Sequence, residues 1–205
     1  MNKIHVLIQG YAHPGEDGSY IASPTTVLIE SNGKKVLVDP GANKEELFGQ
    51  LKRVKIKEKD IDFIYLSHYH PDHFLNIQYF PNTDIYDGEI KWIGDKEFFH
   101  KGDIGLEGVE ILKTPGHSPE HTSLLVDTEE GKVCIAQDVF WWEDGKQKSD
   151  KVEDLLNLED PFTTDMKALV ESRKLVLEKS DWIIPGHGRR FRNPRKINYE
   201  DKKIN

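Results

Sequence analysis

Cysteine is almost missing from this chain. Of 205 residues only Cys134 carries a thiol, which excludes an internal disulfide framework and any zinc module built on thiolates. Long apolar runs are missing too. None approaches the roughly 18 residues of a membrane-spanning helix, so no membrane partner is expected. The apolar stretch in the opening MNKIHVLIQG is too short for a signal peptide, and no small-residue cleavage site follows it. With a lone thiol, this points to a reducing, cytoplasmic location. Positive charge is also in deficit: 28 Lys and Arg face 36 Asp and Glu, a net −8. That weighs against broad phosphate-backbone binding, which needs clustered cations. The deficit is uneven, since residues 189–205 hold seven cations against two acids and leave −13 on the rest.

The length fits one domain, residues 1–205, with 189–205 as a basic C-terminal tail. A globule of this size buries about 70% of the surface its unfolded chain exposes, enough for a core without staples. Strand signals dominate the first third. Ile4–Ile8 is followed by a Gly/Pro-rich loop over 10–24, and then Thr25–Ile29 and Val36–Val38 flank Asn32-Gly33, a type I′ hairpin signal. Residues 43–53 suit a helix capped by Asn43, with Leu47, Phe48 and Leu51 on one face. Ile61–Leu66 is a short apolar strand that stops at a polar cluster. Further strands are expected at 89–93, 97–100, 109–112, 122–126 and 132–136. A helix follows, with Met166, Leu169, Val170, Val176 and Leu177 on one face and Thr163 or Thr164 as cap. The last strand, Trp182–Ile184, ends at Pro185-Gly186-His187-Gly188. Two sheets with helices outside is the natural packing.

Three of the nine histidines crowd into His68-Tyr69-His70-Pro71-Asp72-His73. His68 and His70 leave a strand end at i, i+2, so in extended chain both imidazoles point one way. Pro71 then forbids regular continuation, and Asp72 and His73 swing toward a second point. One loop thereby presents two groups of ligands. Imidazole and carboxylate without thiolate suit zinc, with iron or manganese as alternatives. The competing reading, a surface loop or a cap for a helix at 74–79, gives three clustered histidines no packing value. His117, Asp138 and His187 each follow a strand on a Gly- or Pro-marked turn. Singly each suits a structural role; together they place His or Asp at four strand ends along one sheet edge.

H-x-H-x-D-H, then Thr114-Pro115-Gly116-His117, then a lone Asp138, then Pro185-Gly186-His187-Gly188, in this order, resembles the metallo-β-lactamase-fold superfamily over residues 4 to about 192. Val6–Ala12, Gln137–Phe140 and the Val176–Gly188 region also resemble the branch called metallo-β-lactamase domain-containing protein 1. The resemblance implies an αββα four-layer sandwich, an α/β fold with two mixed sheets and the metal site at one end. It implies His68, His70 and His117 on one metal, Asp72, His73 and His187 on a second, and Asp138 bridging. His70 stands where flavodiiron relatives carry Glu, which favours a hydrolase. The chain lacks the extra helical domain of glyoxalase II and the inserted domain of the RNA-cleaving branches.

The implied chemistry is a metal-bound hydroxide attacking an ester, lactone, thioester or similar small substrate, with Asp72 orienting or deprotonating the water and two zinc ions as cofactors. A phosphodiesterase or nuclease is the first alternative. An iron-bound oxidoreductase or a non-catalytic metal-binding protein is the second. The implied partner is a small-molecule substrate rather than a nucleic acid, and a homodimer is left open. Around this set, Asp39 suits support of the ligand loop or a simple turn, and His121 a structural role or a pocket wall. Ser67 suits a local hydrogen-bond cap. Trp141 and Trp142 suit a pocket wall or the core, and residues 11–23 a flap or a plain connection. Arg189 and Arg190 suit an anionic substrate group or a solvated tail. Cys134 suits a small buried residue.

Overall fold

A computed structural model describes residues 1–197; residues 198–205, with Lys202 and Lys203 of the basic tail, lie outside the described part. Strand β1 (Lys3–Ile8) leads into a two-stranded ribbon, β2 (Tyr11–Pro14) and β3 (Tyr20–Ser23), where the composition suggested only a loop. The hairpin β4 (Thr26–Ser31) and β5 (Lys34–Val38) turns on Asn32 and Gly33, at φ 48° and 84°, the positive pair a type I′ turn requires. Helix α1 (Lys44–Arg53) is capped by Asn43, whose side chain accepts from the Glu46 N–H at 3.2 Å. Strand β6 (Phe63–Tyr65) precedes the short α2 (Pro71–Phe74) and a 3₁₀ turn, Leu75–Tyr79. Strands β7 (Asp84–Tyr86), β8 (Ile90–Ile93) and β9 (Lys96–Phe99) complete one sheet, in the order β1-β4-β5-β6-β7-β8-β9.

The second sheet holds β10 (Val109–Lys113), β11 (Thr122–Thr128), β12 (Gly131–Trp141), β13 (Trp182–His187) and β14 (Phe191–Arg192), in that order. Between β12 and β13 run α3 (Val152–Leu156) and α4 (Met166–Lys179). Both sheets are mixed: β5/β6, β6/β7 and β12/β13 pair in parallel and the rest antiparallel.

Alternation along the strands builds three apolar layers, because successive side chains point to opposite faces. Val27, Ile29, Val36, Val38, Phe63 and Tyr65 face Leu124, Val126, Val133, Ile135 and Ile184 between the sheets. The in-between residues Leu28, Leu37 and Ile64 cover α1 through Leu47 and Leu51. On the other side Leu125, Cys134, Ala136 and Ile183 meet Leu155, Leu169, Val176 and Leu177 of α3 and α4. The layers are thus α, β, β, α, and each buried aliphatic side chain contributes about 1.5–3 kcal/mol.

Helix α4 buries Leu169, Val176 and Leu177 as expected and departs at its cap and at Met166. Its cap is Asp165, which accepts from the Ala168 N–H at 3.0 Å, and Thr163 and Thr164 instead donate their hydroxyls to the Gly116 carbonyl. Met166 stays 41% exposed, while Arg173 is buried, its guanidinium donating to the carbonyls of Val139, Leu156 and Leu158. Gly116 is a fixed point of this packing. It sits at φ 133°, and a Cβ there would lie 2.3 Å from the Leu169 backbone nitrogen. Gly116→Ala should cost about 3 kcal/mol and lower Tm by roughly 6–12 °C. A calorimetric Tm within 2 °C of the parent would show that α4 is not seated on this glycine.

Candidate metal centre

The residues expected at converging strand ends do come together, but Asp138 lies inside β12, which runs on to Trp141 where the sequence suggested an end at Ala136. His68 follows β6, His70 precedes α2 with Pro71 at its first position, and Asp72 and His73 lie within it. His117 follows β10, Asp138 lies in β12, and His187 closes β13. All seven side chains gather at one end of the two sheets, in two groups of compatible donor atoms: His68, His70, His117 and Asp138, and Asp72, His73 and His187. His5, His13 and His100 bond elsewhere, to Glu30, the Pro14 carbonyl and the Asp87 carbonyl.

Local backbone breaks put these groups in place. Gln137 has φ 46° inside β12, and the β12/β13 register shifts on both sides of it, so the chain bulges just before Asp138. Asp138 then lies over Gly186, where a Cβ would come within 1.6 Å of its Oδ1; only glycine admits that approach. Asp39, at φ 45° after β5, is buried and ties the cluster to the sheet. It accepts from the Ser67 N–H at 2.8 Å, the Ser67 hydroxyl at 2.6 Å and His73 Nδ1 at 2.7 Å.

The outer hydrogen bonds fix where each imidazole keeps its lone pair. Ser67 has one hydroxyl proton, given to Asp39, so the 2.8 Å contact with His68 must be donated by His68 Nδ1. His73 Nδ1 donates to Asp39, His117 Nδ1 to Asp160 at 2.6 Å and His187 Nδ1 to the Tyr11 carbonyl at 2.9 Å. Four imidazoles therefore turn Nε2 toward one carboxylate oxygen, Asp138 Oδ2, at 3.9 Å (His68), 3.4 Å (His73), 3.2 Å (His117) and 3.8 Å (His187). Asp72 Oδ2 lies 3.3 Å from His187 Nε2 and 3.9 Å from His73 Nε2. His70 Nδ1 is 2.8 Å from His117 Nε2.

Buried His68 Nε2, His73 Nε2 and Asp138 Oδ1 have no hydrogen-bond partner. Orphaned polar atoms at this depth are costly, and a cation among them removes the cost. The donor set, imidazole and carboxylate with outer hydrogen bonds on the histidines, fits divalent transition metals.

The electrostatics follow from the crowding. Burial alone would push Asp138 up, but the imidazoles of His73, His187 and His117 hold it well below the usual carboxylate range. Burial also works to raise Asp72, and the His187 hydrogen bond and the His73 charge outweigh it, so Asp72 stays ionised. His73 and His117 are raised against the effect of their burial, mainly by Asp138, with Asp39 aiding His73 and Asp160 aiding His117. Burial lowers His68 and His70 and pushes His121 down to about 3. His121 bonds Thr114 through Nδ1 and is not among the grouped donors, so it is a neutral residue beneath the site.

The remaining candidates sort cleanly. Trp141 stands 5.8 Å from the His187 ring and lines a cleft of about 450 Å³ that opens over the histidines, whereas Trp142 packs with Phe140 and Phe191 in the helix-facing core. Tyr20 and Ala22 place the β2–β3 ribbon at the cleft edge. Arg190 lies over the Trp182 ring and pairs with Glu130 at 2.7 Å. Those partners mark the start of β13 and the residue before β12, the opposite end of the sheet from His187 and Asp138, so Arg190 does not face the site. Arg189 is held through its backbone by Gln147. Asp160, which orients His117, went unrecognised in the sequence. Asp-Pro-Phe signals a turn, and its Oδ1 does accept from the Phe162 N–H, but nothing local points 43 residues back to His117.

The metallo-beta-lactamase superfamily pattern matches residues 22–87. Metallo-beta-lactamase domain-containing protein 1 of Xenopus laevis is 31% identical, covering 93% of this chain and 82% of the relative. An N-acyl homoserine lactonase of Bacillus cereus is 36% identical over 42% of this chain and 40% of its own length. The structure of AidC, a dizinc quorum-quenching lactonase with a product bound, superposes with a TM-score of 0.63 at 20% identity, covering 82% of this chain and 74% of that one.

Two outcomes follow from the proton bookkeeping. Titrating the metal-free protein with Zn²⁺ at pH 7 should release protons, chiefly from His73 and His117, because ligating imidazoles must be neutral. The binding enthalpy should then vary with the buffer's ionisation enthalpy; a buffer-independent value would show both rings already bare. Asp160→Ala should weaken metal affinity about 10–100-fold in a chelator competition, and an unchanged affinity would make Asp160 a bystander.

Proposed function

Because this chain belongs to the metallo-β-lactamase superfamily, we propose that it is a dinuclear metal-dependent hydrolase of a small or mid-sized ester, lactone, thioester or similar bond, with zinc as the metal. The observation that carries this is the ring of four Nε2 atoms within 3.2–3.9 Å of Asp138 Oδ2, flanked by His70 on one side and Asp72 on the other. His68, His70 and His117 would hold one ion, Asp72, His73 and His187 the other, and Asp138 both. When bound, two such ions polarise the scissile oxygen and lower the pKa of a coordinated water from 15.7 to about 7. The protein supplies the rest. Asp39, Asp160, Ser67 and the Tyr11 carbonyl keep the imidazoles aimed, so little reorganisation accompanies the reaction. Asp72, its side chain 26% exposed at the cleft, is the carboxylate placed to orient a water and accept its proton at Oδ2. The fragment similarity to a lactonase supports a carbonyl substrate.

A phosphodiesterase reading draws on the basic C-terminal segment and on the resemblance to the metallo-β-lactamase domain-containing protein 1 branch, but Arg190 of that segment is engaged at the far end of the sheet. The −13 on the rest of the chain repels a long polyanion.

Purified protein should hold close to two transition-metal ions per chain by elemental analysis, and Asp138→Ala should lower that number and remove most activity. A fully active protein with one ion would defeat the dinuclear reading. Asp72→Asn should lower kcat at least about 10²-fold with metal content intact; unchanged turnover would remove Asp72 from proton transfer. On a panel of esters, lactones, thioesters and single-stranded oligonucleotides, at least one carbonyl substrate should turn over with a KM insensitive to moderate salt. Cleavage of oligonucleotides alone, with log affinity falling about 0.7 per phosphate contacted for each log unit of salt, would replace this proposal with the nuclease reading.

A further inference from the structure

A second space adjoins the cleft above the histidines. Tyr20, Trp141 and Phe162, which line the cleft, also line a larger trough of about 970 Å³ beside it. The trough runs over Trp142 and Leu158 to Met166. Its apolar lining includes side chains that the fold leaves uncovered: Phe162 is 50% exposed and Met166 41%. Met166 is the residue whose helical periodicity would have placed it in the core. Tyr20 and, at the metal cleft, Leu75 are also exposed, so four of the large exposed hydrophobics border these two joined spaces. Exposed apolar surface gathered around a cleft marks a binding surface, whereas single scattered residues do not.

The charges around the trough exclude one kind of occupant. Lys146 and Lys148 share the lining with Glu143, Asp154 and Glu159, and the fourth lining carboxylate, Asp160, is committed to His117. Carboxylates outnumber cations, so nothing here gathers phosphates. The shared wall instead favours a molecule long enough to reach from one space into the other, with its reacting group at the histidines and an uncharged arm lying over Trp141 and Phe162.

We propose that the trough is the binding site for the non-reacting arm of the substrate, and that this arm is a linear, uncharged hydrocarbon chain attached to the acyl group that is cleaved. This rests on the carbonyl-hydrolase reading above for the reacting end, and on the trough alone for the arm. Each methylene that enters an apolar wall gains about fourfold in affinity, so the arm sets preference by its length.

The test uses the zinc-loaded full chain and p-nitrophenyl esters from acetyl to dodecanoyl. Once the chain is long enough to leave the metal cleft, kcat/KM should rise about three- to fourfold per added methylene. Met166→Glu puts a charge in the trough lining on an exposed position in the first turn of α4, where an acid is compatible with the helix. It should cut the increment below 1.5-fold per methylene. Binding of 1-decanol and 1-butanol, followed by tryptophan fluorescence, separates the arm from the reaction. Decanol should bind far more tightly than butanol, and Met166→Glu should abolish the difference. Decanol binding sensitive to Met166→Glu, in a protein that cleaves no ester, would sustain the arm site while the carbonyl-hydrolase reading fails. Ester turnover independent of chain length, or equal binding of the two alcohols, would overturn the arm site and leave that reading standing. Displacement of decanol by a single-stranded oligonucleotide would also overturn it.

Discussion

A carboxylate that never reaches water organises this protein. Asp39 is fully buried at the end of β5, and a buried charge is tolerable only when it is fully hydrogen-bonded. Its three donors all come from the segment after β6: the Ser67 N–H, the Ser67 hydroxyl and His73. Meeting that requirement pins the His68–His73 loop against the sheet and sets the proton positions on two of its imidazoles. The same constraint recurs at Asp138, whose oxygens sit among four imidazoles, and at Asp160 under His117. Asp39 and Asp160 each accept from the Nδ1 of one histidine, and those two histidines, His73 and His117, turn the other nitrogen, Nε2, toward Asp138.

Backbone strain sits where these acids do. Asp39 and Gln137 have φ values of 45° and 46°, a region costly for residues other than glycine; the first is a break just after β5 and the second a bulge inside β12, and each delivers a carboxylate. Regular extension past Val38 or Ala136 would alternate the next side chains onto the sheet faces; the breaks aim Asp39 and Asp138 along the sheet edge instead. The glycines complete the arrangement. Gly186 lets Asp138 lie on β13, and Gly10, where a Cβ would come within 1.8 Å of the Gly186 carbonyl oxygen, lets the chain after β1 close on the same point. The Thr25 N–H bonds that carbonyl at 2.6 Å, and the Gly188 N–H bonds the Gly10 carbonyl at 3.0 Å.

Features governed by local sequence were legible before the structure; those governed by distant packing were not. The Asn32-Gly33 hairpin, the Asn43 cap and the buried strands follow from short-range rules. So do the His68–His73 cluster, His117 and His187, because each follows an apolar run at a Gly- or Pro-marked turn; Asp138 instead lies inside β12. The ribbon at 11–23 escaped notice because Gly and Pro signal turns whether or not the flanking residues pair. Strand β7 has three half-buried residues and no alternation to display. The exposure of Met166 and the burial of Arg173 invert helical periodicity for a tertiary reason: Arg173 satisfies three carbonyls left by the β12 bulge and the end of α3. Arg190 illustrates the converse, a charge three residues from His187 whose direction is decided by Trp182 and Glu130.

Asp160 shows how the site and the surface that substrate would meet are made by one turn. One carboxylate oxygen accepts from His117 and the other from the Phe162 N–H, two residues on. Thr163 and Thr164 then bond back to the Gly116 carbonyl, next to His117 in sequence. The loop 160–164 and the loop holding His117 are therefore closed on each other at both ends, by a buried bond at Asp160 and partly buried ones at Thr163 and Thr164. Phe162 stands on this closed pair and meets Trp141 edge-to-face at 5.5 Å, forming the wall between the metal cleft and the neighbouring trough. The aim of His117 Nε2 and the position of the Phe162 ring are consequently not independent variables. A substitution that moves the ring pulls on Asp160, and one that frees His117 loosens the wall.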